Sequence, residues 1–294
     1  MSPWIVGFSV FIVYPMVSSL YFSFTKYDLL SQPVFIGLEN FRFMFTSDPN
    51  FWQSVRNTLW IVAVGVSLRI VFGILTAMVL TWPKRGVKVY RTIFFLPTMA
   101  PPVAAAIAFV FVLNPKIGPV NQLLSALGMK DPPLWFYSPG SAKWGLVLLG
   151  LWGVGDAMII FLAGLLDVPR QLYEAAEIEG AGPWQRFRFV TLPMISPVIF
   201  FNLVMGVISG FQYFTQAYVA SVATSGNRVA TQALGYPQGS MLFYSVYLYQ
   251  QGFTYFRMGY ASAMAWVLFV ITMACTALIF RTSRGWVHYG GALR

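Results

Sequence analysis

The sequence has little charge, one cysteine and one histidine among its 294 residues. Charged residues make up 10% and apolar ones 57%, against roughly 25% charged in soluble domains. Several apolar runs of about 20 residues accompany that shortage, which is the composition of a polytopic membrane protein. Cys275 lies inside an apolar run, so no disulfide or metal framework is expected. His288 lies near the end of the chain and reads as a solvated tail residue. There is no G-x-x-x-x-G-K-[ST] phosphate loop, so the chain is not expected to hydrolyse ATP. It also lacks a nucleophile elbow and a catalytic dyad, and an enzyme reading would rest on Asp156 alone. The net charge of +10 would suggest a nucleic-acid partner in a soluble protein. Here the basic residues stand in loops beside apolar spans, so no nucleic acid is expected.

The hydropathy pattern predicts an all-α polytopic fold with six transmembrane helices, at about 4–24, 58–80, 92–113, 144–166, 195–220 and 260–280. The whole chain, 1–294, reads as a single domain. The first apolar run is long enough to span and no small-residue cleavage site follows it, so no cleavable signal peptide is expected. Lys84, Arg85, Lys88 and Arg91 are packed between spans two and three, Arg170, Arg186 and Arg188 lie between spans four and five, and Arg281, Arg284 and Arg294 are in the tail. The other loops carry Lys26, Arg42, Arg56, Lys116, Lys130, Lys143, Arg228 and Arg257 over a greater length. The positive-inside rule then puts both termini and the 167–194 loop in the cytoplasm. The first outer loop, with Phe35, Leu38, Phe41, Phe45, Phe51 and Trp52 among polar residues, suits an amphipathic cover at the membrane interface.

Within the spans a few polar or helix-breaking residues stand out. Arg69 in span two needs a partner or water. Pro97, Pro101 and Pro102 interrupt the backbone ladder at the start of span three, and Ala104 to Ala106 allow close helix approach. Span four carries Gly145, Gly150, Gly153 and Gly155, together with Trp152 and Asp156. A carboxylate near mid-membrane either serves a hydroxyl-rich solute or is paired with Arg69 or with a backbone group of another helix. In span five Asn202, Met205, Gly206, Ser209, Gln212, Tyr213 and Gln216 fall at steps of three and four, a polar stripe on an apolar helix. Gly206 and Gly210 form a G-x-x-x-G pair suited to helix contact. The stripe is either polar glue between helices or the lining of a sugar-sized path, for which Trp152 and Asp156 are further candidates.

The stretch YEAAEIEGAGPWQRFRFVTLPMISP, from Tyr173 to Pro197, organises the rest. It is too polar to enter a bilayer. Its first part, Leu172 to Ala181, is rich in good helix formers. Gly180 and Gly182-Pro183 break it, and Trp184, Phe187 and Val190 then recur at helical spacing. Such a helix, Gly turn and helix with an exposed small face at Ala175 and Ala176 is shaped to dock onto another protein. Glu174-Ala175-Ala176, Gly180-Ala181, Trp184, Phe187 and Leu192-Pro193 resemble the EAA loop of the inner-membrane permease subunits of binding-protein-dependent ABC importers. Glu179, where the family most often has Asp, and Val190, where Ile is commoner, depart from it while keeping charge or shape. Gly37-Leu38-Glu39-Asn40-Phe41, Asn57-Thr58-Leu59, Leu248-Tyr249, Phe253, Phe256 and Gly259-Tyr260-Ala261-Ser262-Ala263 are similar to words of the carbohydrate-uptake subgroup. The insert between spans five and six departs from it. Only Met1 to Pro3 precede span one, without the usual basic lead, and a lost start and a short one both fit.

The resemblance implies a non-catalytic bacterial inner-membrane permease subunit that forms half of a path for a sugar or sugar-like solute by alternating access. It implies a second homologous permease, two ATPase subunits holding ATP and Mg, and an extracytoplasmic substrate-binding protein, with no cofactor on this chain. Glu174 would make polar contact with the ATPase, Ala175 and Ala176 would fit its cleft, and Gly180 would allow the turn. Ala181, Trp184, Phe187 and Pro193 complete the coupling set. A stand-alone secondary transporter or channel is the alternative, although no convincing repeat relates the two halves.

Overall fold

The computed structural model describes residues 2–82, 86–226 and 233–288. Lys84, Arg85, Arg228 and Arg294, which enter the charge argument, lie outside the described residues, as does Met1. Three unbroken helices are long and apolar enough to cross a membrane: Ser2–Ser23, Pro49–Thr81 and Met258–Ser283. Three bent pairs complete six spans, namely Val87–Met99 with Pro102–Val112, Ala142–Trp152 with Gly155–Leu166, and Pro183–Met194 with Ser196–Phe211. The first pair bends by 100° where Pro97, Pro101 and Pro102 were expected to break the ladder. The second bends by 50° at Gly153 and Val154. The helix that contains the expected second span, 58–80, opens earlier, at Pro49, and its 33 residues amount to about 50 Å of helix, well beyond the roughly 30 Å of bilayer hydrocarbon. One expectation needs correction. The fifth span does not run unbroken to 220. It stops at Phe211, and a separate helix covers Thr215–Thr224.

The chain divides into two compact units. One comprises Met1–Leu59, Val110–Lys143 and Phe211–Met273. Here the short strands Thr25–Lys26 and Val34–Phe35 pair antiparallel, Thr25 opposite Phe35. Asp48 caps the long helix that Pro49 opens. Its Oδ1 accepts the N–H groups of Asn50 at 3.0 Å and Phe51 at 3.3 Å, two donors that have no partner inside the helix. Its Oδ2 accepts the hydroxyls of Tyr247 at 2.6 Å and Tyr260 at 2.5 Å, so one buried carboxylate ties three stretches together. Burial and the hydrogen bond to Asp48 both hold the Tyr247 phenol well above its ordinary range. Asn40 donates to the carbonyls of Ser23 and Thr25, and Asn57 to those of Gly239 and Leu242. Gly259 is needed where it stands: a Cβ there would lie 2.0 Å from the Thr25 carbonyl oxygen.

The other unit comprises Trp60–Phe109, Trp144–Gly210 and Ala274–Arg294. Its core is an apolar cluster around Ile74, Ala77, Met158, Phe161, Leu162 and Ile195. Small residues set its spacing. A Cβ on Gly155 would meet the Phe94 carbonyl oxygen at 2.4 Å, whereas one on Gly150 would meet nothing within 4 Å. Of the span-four glycines, Gly155 therefore lets a neighbour approach and Gly150 does not. Gly206 and Gly210 face Val66 and Val62, with added Cβ distances of 2.7 and 2.9 Å, so the G-x-x-x-G pair is a helix contact. The tail folds back: the His288 N–H donates to Ser196 Oγ at 2.8 Å, and the Trp286 and Phe200 rings meet edge to face.

Candidate functional site: a paired-helix loop and an in-span ion pair

The stretch singled out in the sequence folds as a helix, Arg170–Ile178, a tight turn, and a second helix, Pro183–Met194. The first helix ends in a Schellman motif. The Ala181 N–H reaches the Ala176 carbonyl at 2.9 Å and the Gly180 N–H reaches the Glu177 carbonyl at 3.0 Å, with Gly180 at φ +80°. That left-handed position is where glycine carries no Cβ penalty. Pro183 opens the second helix, where its missing N–H costs nothing, and Gln185 Oε1 accepts the Gly182 N–H at 2.8 Å. Arg186 pairs with Glu177 across the turn, and the Tyr173 hydroxyl meets Thr191 Oγ1 at 2.9 Å. Both links hold the two helices as one body.

One face of this body is anchored and the other is open. Tyr173, Phe187, Val190 and Met194 pack on the apolar core. Glu174, Ala175, Gly180 and Trp184 are exposed, while Ala176, Ala181 and Pro193 are half-buried. Ile178 and Trp184 are 88% and 69% exposed. Beside them an open groove of about 510 Å³ is lined by Ala175, Ala176, Gly180, Ala181, Gln185 and Phe189, among others. Of the residues expected to form the docking set, Phe187 packs against the core, and its ring lies tilted against the exposed Trp184 at 5.6 Å.

Of the candidate path residues, Asp156 has a partner. Arg69 Nη2 lies 2.6 Å from Oδ1 and 2.5 Å from Oδ2. A single nitrogen serves both oxygens, and the buried Nε has no hydrogen-bond partner, so the guanidinium fork is only partly used. Trp152 is half-exposed and tilts against Phe109 at 5.4 Å. Asn202 donates to the Val198 carbonyl of its own helix at 2.9 Å, Gly206 is a packing residue, and Ser209 is exposed. The expected single stripe is divided by the helix break. Asn202, Gly206 and Ser209 belong to one compact unit, Gln212, Tyr213 and Gln216 to the other. The break is held by contacts from later in the chain. Tyr213 packs edge-on against Phe243, and Phe214 stacks on Tyr218 and meets Tyr249, while Ser245 Oγ donates to the freed Phe211 carbonyl at 3.2 Å. Gln212 is left exposed and Gln216 half-buried. The cap at Asp48 was missed in the sequence, although Asp followed by Pro at a helix start could have revealed it.

Comparison with known proteins gives this arrangement a family. Residues 69–286 match the model of the binding-protein-dependent transport system inner membrane component. The probable ABC transporter permease protein YesP of Bacillus subtilis is 46% identical over 98% of this chain and 90% of its own length. The sulfoquinovosyl glycerol transport system permease protein SmoG of Agrobacterium fabrum is 32% identical over 97% and 89%. Among solved structures, a bacterial alginate ABC transporter in complex with an alginate pentasaccharide-bound periplasmic protein has the same fold, with a TM-score of 0.76 and 24% identity over 96% of this chain and 91% of that one. The chain belongs to the binding-protein-dependent transport system inner membrane components, the multi-pass permease subunits of ABC importers.

Proposed function

We propose that the chain, acting as a single permease domain, forms half of the membrane path of an ATP-driven bacterial importer of a sugar or sugar-like solute. The observation that carries this reading is the rigid helix pair at 170–194, with its open small-residue groove and its exposed Trp184 and Ile178. Two cytoplasmic ATPase subunits, holding ATP and Mg, supply the drive. One grips this loop through Glu174, Ala175, Ala176, Gly180, Ala181 and Trp184, with Phe187 and Pro193 carrying the movement into the spans behind. A second homologous permease completes the path, and an extracytoplasmic binding protein delivers the solute. Both termini face the cytoplasm.

Sugar is favoured as cargo by the relatives named for sulfoquinovosyl glycerol and alginate, and by the side chains offered along the path. Trp152 presents an aromatic face, and Asp156, Asn202, Ser209, Gln212, Tyr213 and Gln216 offer carboxylate, amide and hydroxyl groups. Arg69 holds Asp156 through one nitrogen, and its release would free the carboxylate for solute hydroxyls. The test is affinity purification of the tagged chain from gently solubilised native membranes, followed by reconstitution. Recovery of an ATPase and a second six-span permease, with uptake that requires ATP, is the expected result. A chain recovered alone that transports without ATP would overturn the reading in favour of a secondary transporter or channel.

A further inference from the structure

Where the first span ends at Ser23 and the sixth begins at Met258, the chain encloses an open pocket of about 430 Å³. Its wall is built by the close approach of the hairpin to Gly259, whose N–H donates to the Tyr27 carbonyl at 3.1 Å. Lys26, Arg257, Asp28 and Glu39 line it, and all four are exposed. None of them takes part in an ion pair among the described residues. Two cations and two carboxylates around one pocket, unpaired with each other, leave both signs available to a ligand. Asp28 keeps its charge: hydrogen bonds from the Ser31 hydroxyl and from the Ser31 and Leu30 N–H groups to Oδ1 hold its carboxyl below the ordinary range.

Phe256 is the second observation. It lines the pocket, is 53% exposed, and sits at φ +54°. It closes the turn in which the Arg257 N–H reaches the Gln251 carbonyl at 2.8 Å. A left-handed residue other than glycine costs about 1–2 kcal/mol, and glycine would close this turn without that cost. The exposed ring gains little packing in return, so its place at the pocket points to a ligand. The third observation is the neighbouring hairpin. Leu30 is 93% exposed, Phe35 and Leu38 are each 67%, and Val34 is 61%. Such side chains beside the ends of two spans belong in the headgroup and acyl boundary of a bilayer.

We propose that this pocket holds the headgroup of a zwitterionic aminophospholipid, with its phosphate on Lys26 and Arg257, its ammonium toward Asp28 and Glu39, and Phe256 over the junction with the glycerol. The apolar hairpin seats the same lipid's environment against the protein. The site is independent of what the importer carries. The complete transporter, purified in detergent and delipidated, is titrated with short-chain phosphatidylethanolamine, phosphatidylglycerol, free phosphoethanolamine and a neutral trisaccharide, and binding is read by native mass spectrometry.

One phosphatidylethanolamine per chain is expected, held about tenfold more tightly than phosphatidylglycerol (~1.4 kcal/mol). Glu39→Gln should abolish that preference, and Arg257→Gln should weaken both lipids. Phe256→Gly relieves the backbone, so it should melt no lower than the native protein while losing affinity for the aminolipid. Equal binding of the two lipids by the native protein, or a preference unchanged in Glu39→Gln, would overturn the proposal. So would a stable Phe256→Gly that binds normally. Free phosphoethanolamine binding as tightly as the lipid would overturn the lipid source, and displacement by the trisaccharide would reassign the pocket to sugar.

Discussion

Two arginine–carboxylate pairs hold this permease, and they teach different things. Arg69 and Asp156 meet between two apolar spans, with side chains 38% and 54% exposed. Arg186 and Glu177 meet across the turn of the 170–194 helix pair, at 27% and 62%. The accessibilities are similar, but the surroundings are not. Around the first pair the exposed surface is flanked by membrane-spanning sequence, where a lone charge costs about 3 kcal/mol on insertion scales. Around the second the alternative partner is water, and an exposed pair contributes about 0–1 kcal/mol. The same chemistry is thus a condition of existence in one place and a fine adjustment in the other.

The sharpest way to break this comparison is to orphan one member of the span pair. Asp156→Ala leaves Arg69 without its carboxylate, and about 3 kcal/mol of lost stability or membrane insertion is expected, read as protein recovered from membranes and as melting temperature. Arg69→Met with Asp156→Leu should restore most of that recovery, since replacing a pair by apolar residues is often neutral. The double variant should still transport poorly if Asp156 serves the path. Full uptake by a well-recovered double variant would reduce the pair to a structural tie.

Asp48 supplies an intermediate case. It has no cation partner among the described residues, yet it accepts two phenol hydroxyls and two helix N–H groups. Asp48→Asn keeps an acceptor but brings a donor to face at least one of those hydrogens, so a loss of about 2 kcal/mol is expected in thermal unfolding. A loss as small as that of an exposed pair would mean that water shares the site.

Much of this organisation was legible in the sequence because its marks are local. Proline and glycine announced the bend in span three and the turn of the loop, and Gly206 with Gly210 announced a close helix contact. The words Gly37 to Phe41, Asn57 to Leu59 and Gly259 to Ala263 were legible as family words, but their physical reason was not. Asn40 and Asn57 each bind two carbonyls, the second from a stretch some 180 residues later, and Gly259 yields to the Thr25 carbonyl. The break after Phe211 escaped for the same kind of reason. Helical periodicity continued through Gln216, while the contacts that end the helix, from Phe243, Ser245 and Tyr249, come from the departing insert and the segment after it. Phe187 entered the coupling set through the family resemblance, and the core it reaches is built from other spans.

The loop offers a third test in Gly180. Its φ of +80° makes Gly180→Ala cost about 1–2 kcal/mol locally, with little effect on the spans, because nothing lies within 4 Å of an added Cβ. Uptake should fall much more than membrane recovery, since in the proposed coupling role the turn angle sets the face offered to the ATPase. Stimulated ATP hydrolysis measured beside uptake separates the two effects. Loss of both together with the protein itself would make the glycine a folding requirement rather than a coupling one.

The smallest effect is expected at the loop pair. Arg186→Gln keeps a donor near Glu177 and leaves the Schellman turn, the Pro183 start and the Tyr173 to Thr191 contact in place. Its stability cost should be under about 1 kcal/mol and should shrink further in high salt, because water and ions screen exposed charges. Its value lies in the contrast. If raising salt weakens coupling in the native protein but not in Arg186→Gln, the pair fixes the angle between the two helices during the transport cycle. A loss near that of Asp156→Ala would show the loop pair to be shielded from water, and the difference in medium between the two pairs would no longer explain their roles.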